Sequence, residues 1–221
     1  MKKKRERRIV PAGVPTARRS TAGIAAIGLA AALSACSSEA KGGDARGDGI
    51  SPRRAADMIQ AVLAADREVY TKEIVQRLTI QQKVQIAAPG GGSTPLEARE
   101  DWRSEHGKLP LPAQVFRMGA EKVLSTGSDF SYLLLSPWPV NPQNRPRTDV
   151  ERGGLEQASK TGQPHYASEE LDGKRYFVAI YPDRAVAEAC VECHNKHPDS
   201  PRRDFKLGDV MGGVVIRFRA D

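Results

Sequence analysis

His165-Tyr-Ala-Ser-Glu-Glu-Leu-Asp-Gly-Lys-Arg-Tyr-Phe-Val-Ala-Ile-Tyr181 is the stretch on which the fold turns. Asp172-Gly173 separates two runs with strand character, His165–Glu170 and Lys174–Tyr181. Asp-Gly is a strong two-residue hairpin signal because both positions tolerate positive φ. Downstream, Val210–Arg217 reads as the last strand, and Gly212 and Gly213 within it point to a bulge or to the close approach of another group. Upstream, Asp149–Lys160 has the pattern of a short helix, Ser136–Thr148 is too rich in proline and asparagine for a regular element, and Phe130–Leu135 is a strand. Leu109-Pro110-Leu111-Pro112 introduces a helix over Ala113–Leu124, with Phe116, Met118 and Val123 available for packing. Pro89-Gly-Gly-Gly-Ser93 is a loop; it lacks the Lys-Ser/Thr ending of a phosphate-binding loop. Before it, Ser51-Pro52 is a helix start. Ala55, Met58, Ile59, Val62, Leu63, Val69, Tyr70, Ile74 and Leu78 then recur at three- and four-residue steps, which predicts one long amphipathic helix to about Gln85. Helices first, then an antiparallel sheet with helices on it, make an α+β fold.

A chain of 221 residues suits one such domain plus a targeting segment. The formal charge of +7 resembles a nucleic-acid signature, but residues 1–35 hold eight of the basic residues and only one acid. Subtracting these from 34 and 27 leaves 26 of each sign, so the folded part carries no basic footprint for DNA or RNA.

The excess charge belongs to an address. A positive stretch to Ser20 is followed by an apolar run, Thr21–Leu33, which is too short to span a bilayer and matches the core of a secretory signal peptide. Leu33-Ser34-Ala35-Cys36 at its end looks like a lipobox, which makes Cys36 the lipidated first residue of the mature protein; the other reading is an ordinary signal peptide cleaved at the small residues Ser34 and Ala35. Several acyl chains there would anchor the chain firmly, each buried methylene adding about 0.8 kcal/mol. The resulting division is a signal peptide with lipobox over 1–36, a flexible tether rich in Gly, Asp and Ser over 37–50, and a folded domain over 51–221. The expected location is the membrane, facing the periplasm.

Chemistry enters with Cys190-Val191-Glu192-Cys193-His194. C-x-x-C-H is the attachment sequence of a c-type haem. Cysteines three apart lie on one side of a helical turn, where both sulfurs reach the two vinyl groups of one porphyrin, and the adjacent imidazole projects toward the iron. Two other readings of these residues exist. One is a disulfide, which an oxidising compartment permits; the other is a zinc site using Cys190, Cys193 and His197. Export favours haem.

The segments Leu133-Leu-Leu-Ser-Pro-Trp-Pro-Val-Asn-Pro-Gln-Asn-Arg-Pro-Arg147, Ala189-Cys-Val-Glu-Cys-His-Asn-Lys-His-Pro-Asp-Ser-Pro-Arg-Arg203 and Asp204-Phe-Lys-Leu-Gly-Asp-Val-Met-Gly-Gly-Val-Val-Ile216 together resemble one family. It is the Tll-like c-type haem domain, a PAS-like periplasmic fold that occurs alone and as the sensing module of chemotaxis receptors and histidine kinases. The resemblance spans about Arg54–Phe218. It implies a PAS-like antiparallel sheet with a long N-terminal helix and flanking helices, one covalent haem c, and a role in redox or small-ligand sensing.

His194 is then the proximal iron ligand. Met118 is a candidate distal ligand, against the alternative of core packing; His106, His165, His197, Met58, Met211 and water are the other candidates. Arg202 and Arg203 follow the haem motif closely and suit a haem propionate, against the alternative of a solvated basic turn. Trp138 is a candidate aromatic contact. The expected function is a membrane-anchored monohaem protein with no turnover of its own, sensing redox state or a small gaseous ligand and passing that state to a partner protein. The alternative is a monohaem electron-transfer cytochrome.

Overall fold

The computed structural model describes residues 49–220; the expected signal peptide over 1–36, its Cys36 and all but the last two residues of the expected tether lie outside the described residues. Ser51 opens helix α1 (Pro52–Val69). Its Oγ accepts from the Arg54 N–H at 3.3 Å, and Pro52 sits in the first turn, where no backbone donor is needed. The helix continues past Val69 with a different winding. From Tyr70 to Gln81 it is a π-helix, and it ends four residues short of the expected Gln85. Thr71 and Thr79 donate their hydroxyls to the carbonyls of Arg67 and Val75 four residues back, at 2.7 and 2.6 Å, a side-chain competition that disturbs regular helical hydrogen bonding.

Four short strands follow. β1 (Gln85–Ala87) pairs antiparallel with β2 (Ser93–Pro95) around Gly90, Gly91 and Gly92, and β3 (Glu97–Ala98) pairs parallel with β4 (Lys108–Leu109). Elements of two and three residues carry no period, so the sequence gives no warning of them. Helix α2 (Pro112–Ser125) and strand β5 (Phe130–Leu135) stand where they were expected. Helix α3 (Asp149–Thr161) begins with a reciprocal cap between Thr148 and Glu151 and ends at Gly162, whose φ is 67°. Strands β6 (His165–Leu171) and β7 (Lys174–Arg184) form the expected hairpin, with Asp172 and Gly173 at φ of 52° and 72°. The haem-motif residues lie on α4 (Glu188–Lys196), and β8 (Val210–Arg219) closes the chain.

The last four strands make one antiparallel sheet in the order β5-β8-β7-β6. Alternation along the strands sorts the core into two layers. Ala179, Tyr181, Val214, Ile216 and Tyr132 face α1 and α2, meeting Ala56, Phe116 and Ala120. Val178, Ile180, Val215 and Leu135 face α3 at Leu155 and Ala158. Asp57 ties α1 to the sheet, because the hydroxyls of Tyr166 and Tyr181 both donate to its Oδ1 at 2.8 Å. Arg217 on β8 pairs with Glu151 of α3 at 2.7 Å and Glu169 of β6 at 3.1 Å, fastening α3 over the sheet. The α+β class and the antiparallel sheet with flanking helices match expectation. At one end of the sheet β5 and β7 finish and β8 begins, and there α4, the π-helix and the start of α2 converge.

Candidate functional site

Ala189 in the first turn of α4 has a backbone N–H with no partner inside the helix. It donates to Gln76 Oε1 at 2.9 Å, docking α4 on the π-helix. In that pose Cys190, Cys193 and His194 all line a cavity of about 1020 Å³. Ligand pockets run from about 300 to 1,000 Å³, so this one suits a large group. The facing walls come from Thr71, Val75 and Thr79 of the π-helix, the Glu97–Arg103 segment, the first half of α2, and the Pro139–Asn144 loop.

The residues present fit a haem. His194 Nδ1 is buried with no hydrogen-bond partner. Burial first, then the positive neighbours Arg67 and His197, lowers the His194 pKa and favours the neutral ring that can offer a lone pair. The edge of the ring meets Phe205 with centroids 5.9 Å apart, which fixes its plane. Cys190 and Cys193 are free thiols, as addition to vinyl groups requires. Cys193 is exposed and opens onto the cavity, and partial desolvation there, aided by Glu100 and Cys190, raises its thiol pKa.

Neither rival reading is supported. The two cysteines are not bonded to each other. Among the described residues no three His, Cys, Asp or Glu side chains gather as a metal cluster. His197 lines the cavity, but its Nε2 is 3.5 Å from Glu100 Oε1 and its Nδ1 accepts the Asp199 N–H at 3.1 Å.

Met118 is on the cavity wall, as a distal ligand requires, and its Sδ accepts from Arg103 Nη2 at 3.5 Å. Arg202, Arg203 and Trp138 are not among the residues that line the cavity. The Arg202 guanidinium lies 4.7 Å over Trp138 and 4.4 Å over Phe205 and pairs with Asp204 at 2.7 Å. Arg203 donates to the carbonyls of Pro198 and Ser200. Arg202 and Trp138 brace Phe205 and, through it, His194. Of the remaining candidates, Met211 lines the cavity within a cluster with Ala185 and Phe205. His106 Nε2 bonds to the Ala87 carbonyl at 2.8 Å outside the cavity, His165 packs at Gly154 of α3, and Met58 is exposed on α1.

The sequence reading missed three features of the wall. Arg67 pairs with Asp183 at 2.9 Å, and Arg67 Nε has no partner. Burial pushes the Asp183 carboxyl up, and Arg67 opposes it. Trp102 and Arg103 come from the segment between β3 and β4, and Arg117 from α2. A signal existed for Arg67. It is a charge on the apolar stripe that runs Ile59, Leu63, Tyr70, Ile74.

The Tll0287-like family model matches residues 51–219. The chain belongs to the Tll0287-like family. A solved structure, the crystal structure of the cyanobacterial heme-protein Tll0287, superimposes with a TM-score of 0.47 at 13% identity, covering 78% of this chain and 98% of that chain. No curated protein matches the chain. The family match contains the whole cavity, from Arg67 on α1 to Gly212 on β8.

Proposed function

We propose that this protein is a c-type haem-binding sensor, a lipoprotein anchored through Cys36 to a membrane and facing the periplasm. The observation that carries the reading is the placement of two free thiols and one half-buried imidazole, its Nδ1 without a hydrogen-bond partner, on one face of α4, before a cavity large enough for a porphyrin. Cys190 and Cys193 would hold one haem by thioethers, and His194 would ligate its iron. The haem would supply a one-electron couple and a binding place for a small ligand. The protein's part is to hold the ring plane through Phe205 and to keep His194 neutral. It does no turnover of its own and passes its state to a partner protein.

Sensing is favoured over electron transfer by the donors left on the wall. Met118 sulfur is engaged by Arg103, both nitrogens of His197 have partners, and Met211 is packed against Phe205. With these donors engaged, the iron of a bound haem would be left accessible to a small ligand. The test is an optical spectrum of the purified holoprotein with and without carbon monoxide or nitric oxide. Prompt shifts of the Soret band support sensing. A stable low-spin spectrum that neither gas moves would replace it with the electron-transfer alternative.

A further inference from the structure

Four arginines line the cavity: Arg67, Arg99, Arg103 and Arg117. Two are neutralised within the protein, Arg67 by Asp183 at 2.9 Å and Arg99 by Asp101 at 3.2 Å. The other two have only neutral partners. Arg117, half-buried on α2, donates to the side-chain carbonyls of Gln143 and Asn144 in the proline-rich loop. Arg103 stacks 4.1 Å over Trp102 and donates to Met118 Sδ. The acids of the same wall do not serve them. Glu97 is taken by Lys108 at 2.7 Å and Glu100 by His197, and Glu121 makes no ion pair with Arg117 one turn away. Arg103 is exposed, but Arg117 is half-buried, and a partly desolvated cation is costly without a counter-charge. Two amide oxygens orient the Arg117 guanidinium without cancelling its charge.

The geometry points to Arg117 and Arg103 as the seats of two carboxylates carried by the cavity's ligand. On the haem reading, on which this rests, they are the two propionates. A guanidinium has five N–H donors, so each arginine can take a carboxylate and keep the bond it already makes. Arg103 bonds to the Met118 sulfur, and Arg117 is the neighbouring residue on the same turn of α2, so both line the α2 side of the cavity. A haem carries both propionates on one edge, which such a pair can grip. Arg202 and Arg203, the earlier candidates, are committed to Phe205, Asp204 and backbone carbonyls.

The test uses the holoprotein made beside a cytochrome c maturation system. Resonance Raman excited in the Soret band reports the haem's propionate-bending mode and is blind to protein carboxylates. R117Q and R103Q should each move that band to lower wavenumber and lower the midpoint potential, since a counter-charge to a propionate is lost. R117K should retain part of the wild-type position. R99Q, a paired cation of the same wall, should leave the band in place. If R117Q does not fold, N144D serves instead. It sets a carboxylate against the guanidinium and should move the band the same way. The assignment of each arginine falls if its variant leaves the band unmoved, and both fall if R99Q moves it equally. A wild-type protein without any Soret band would sink the haem reading itself, a result separate from a haem-bearing protein whose propionate band ignores both arginines.

Discussion

Exchange of Arg67 for methionine tests the buried ion pair at the cavity. Asp183 has Arg67 as its partner at 2.9 Å, and both side chains are 13% exposed. Breaking such a pair by removing one member costs about 3–5 kcal/mol. A ceiling follows from the carboxyl's escape route. The uncompensated Asp183 can take up a proton, and its ordinary pKa is 3.8. At pH 7 that uptake costs at most about 1.36 kcal/mol for each of the roughly 3.2 pH units above 3.8, or about 4.4 kcal/mol. At pH 5 the same ceiling is about 1.6 kcal/mol. The loss in R67M should therefore be about 3–4 kcal/mol at pH 7 and fall below about 2 kcal/mol at pH 5.

The sign follows from which state binds the proton first. Asp183 is raised in the folded protein, so on acidification the folded state protonates before the unfolded one, and this group's contribution to stability increases. Removing Arg67, which lowers that pKa, widens the window. Urea unfolding of wild type, R67M and R67M/D183N at pH 5, 6, 7 and 8 reads it out. The double variant should recover much of the loss and show little of the added pH dependence. The reasoning is refuted by an R67M loss below about 1 kcal/mol at pH 7, or by one of equal size at pH 5 and pH 7.

Cys193→Ala should remove one thioether and weaken haem retention on a denaturing gel; retention equal to wild type contradicts covalent attachment at that residue. Cys36→Ala should release the protein from washed membranes, and persistence in the membrane fraction refutes lipidation as the anchor. Gly212→Ala would place a Cβ 2.4 Å from the Leu135 carbonyl oxygen, and backbone cannot yield as a side chain does, so a loss of about 1–3 kcal/mol is expected by urea midpoint. Asp57→Ala removes the acceptor of both tyrosines and should cost about 1.5–3 kcal/mol, with Tyr166 and Tyr181 becoming easier to ionise in an ultraviolet pH titration.

What could be read from the sequence was local. The hairpin at Asp172-Gly173 needs only two residues that accept positive φ between two β-forming runs, and α3 needs only its Thr148–Glu151 cap and a closing glycine. The C-x-x-C-H motif is local in the same sense, because one helical turn contains all of it. The π-helix was not legible, since apolar steps of three and four suit either winding and the loosening comes from two threonine hydroxyls. The cavity's arginines were not legible either. Arg202 and Arg203 adjoin the motif in sequence, whereas Arg103 and Arg117 reach the cavity only through folding. Proximity along the chain was a poor guide to proximity in space.

The two glycines of β8 show how separate sequence segments come to form one site. Asp183 pairs with Gly212 and Arg184 with Val210, so Met211 is an extra residue in β8, a bulge. Its carbonyl accepts the Ser136 hydroxyl at 2.6 Å, and Ser136 Oγ in turn accepts the Trp138 N–H at 2.9 Å. The Ser136-Pro-Trp-Pro loop is thereby pinned to the bulge, 75 residues away in sequence. The approach that Gly212 permits is that of β5 backbone, with the Leu135 carbonyl where a Cβ would stand. The same bulge sits opposite Asp183, partner of Arg67, and beside Phe205, which abuts His194. The proline-rich loop, the haem-motif helix and the Gly-Gly strand that carry the family resemblance are therefore neighbours in one structure. A lesion at Gly212 should register at the cavity as well as in stability.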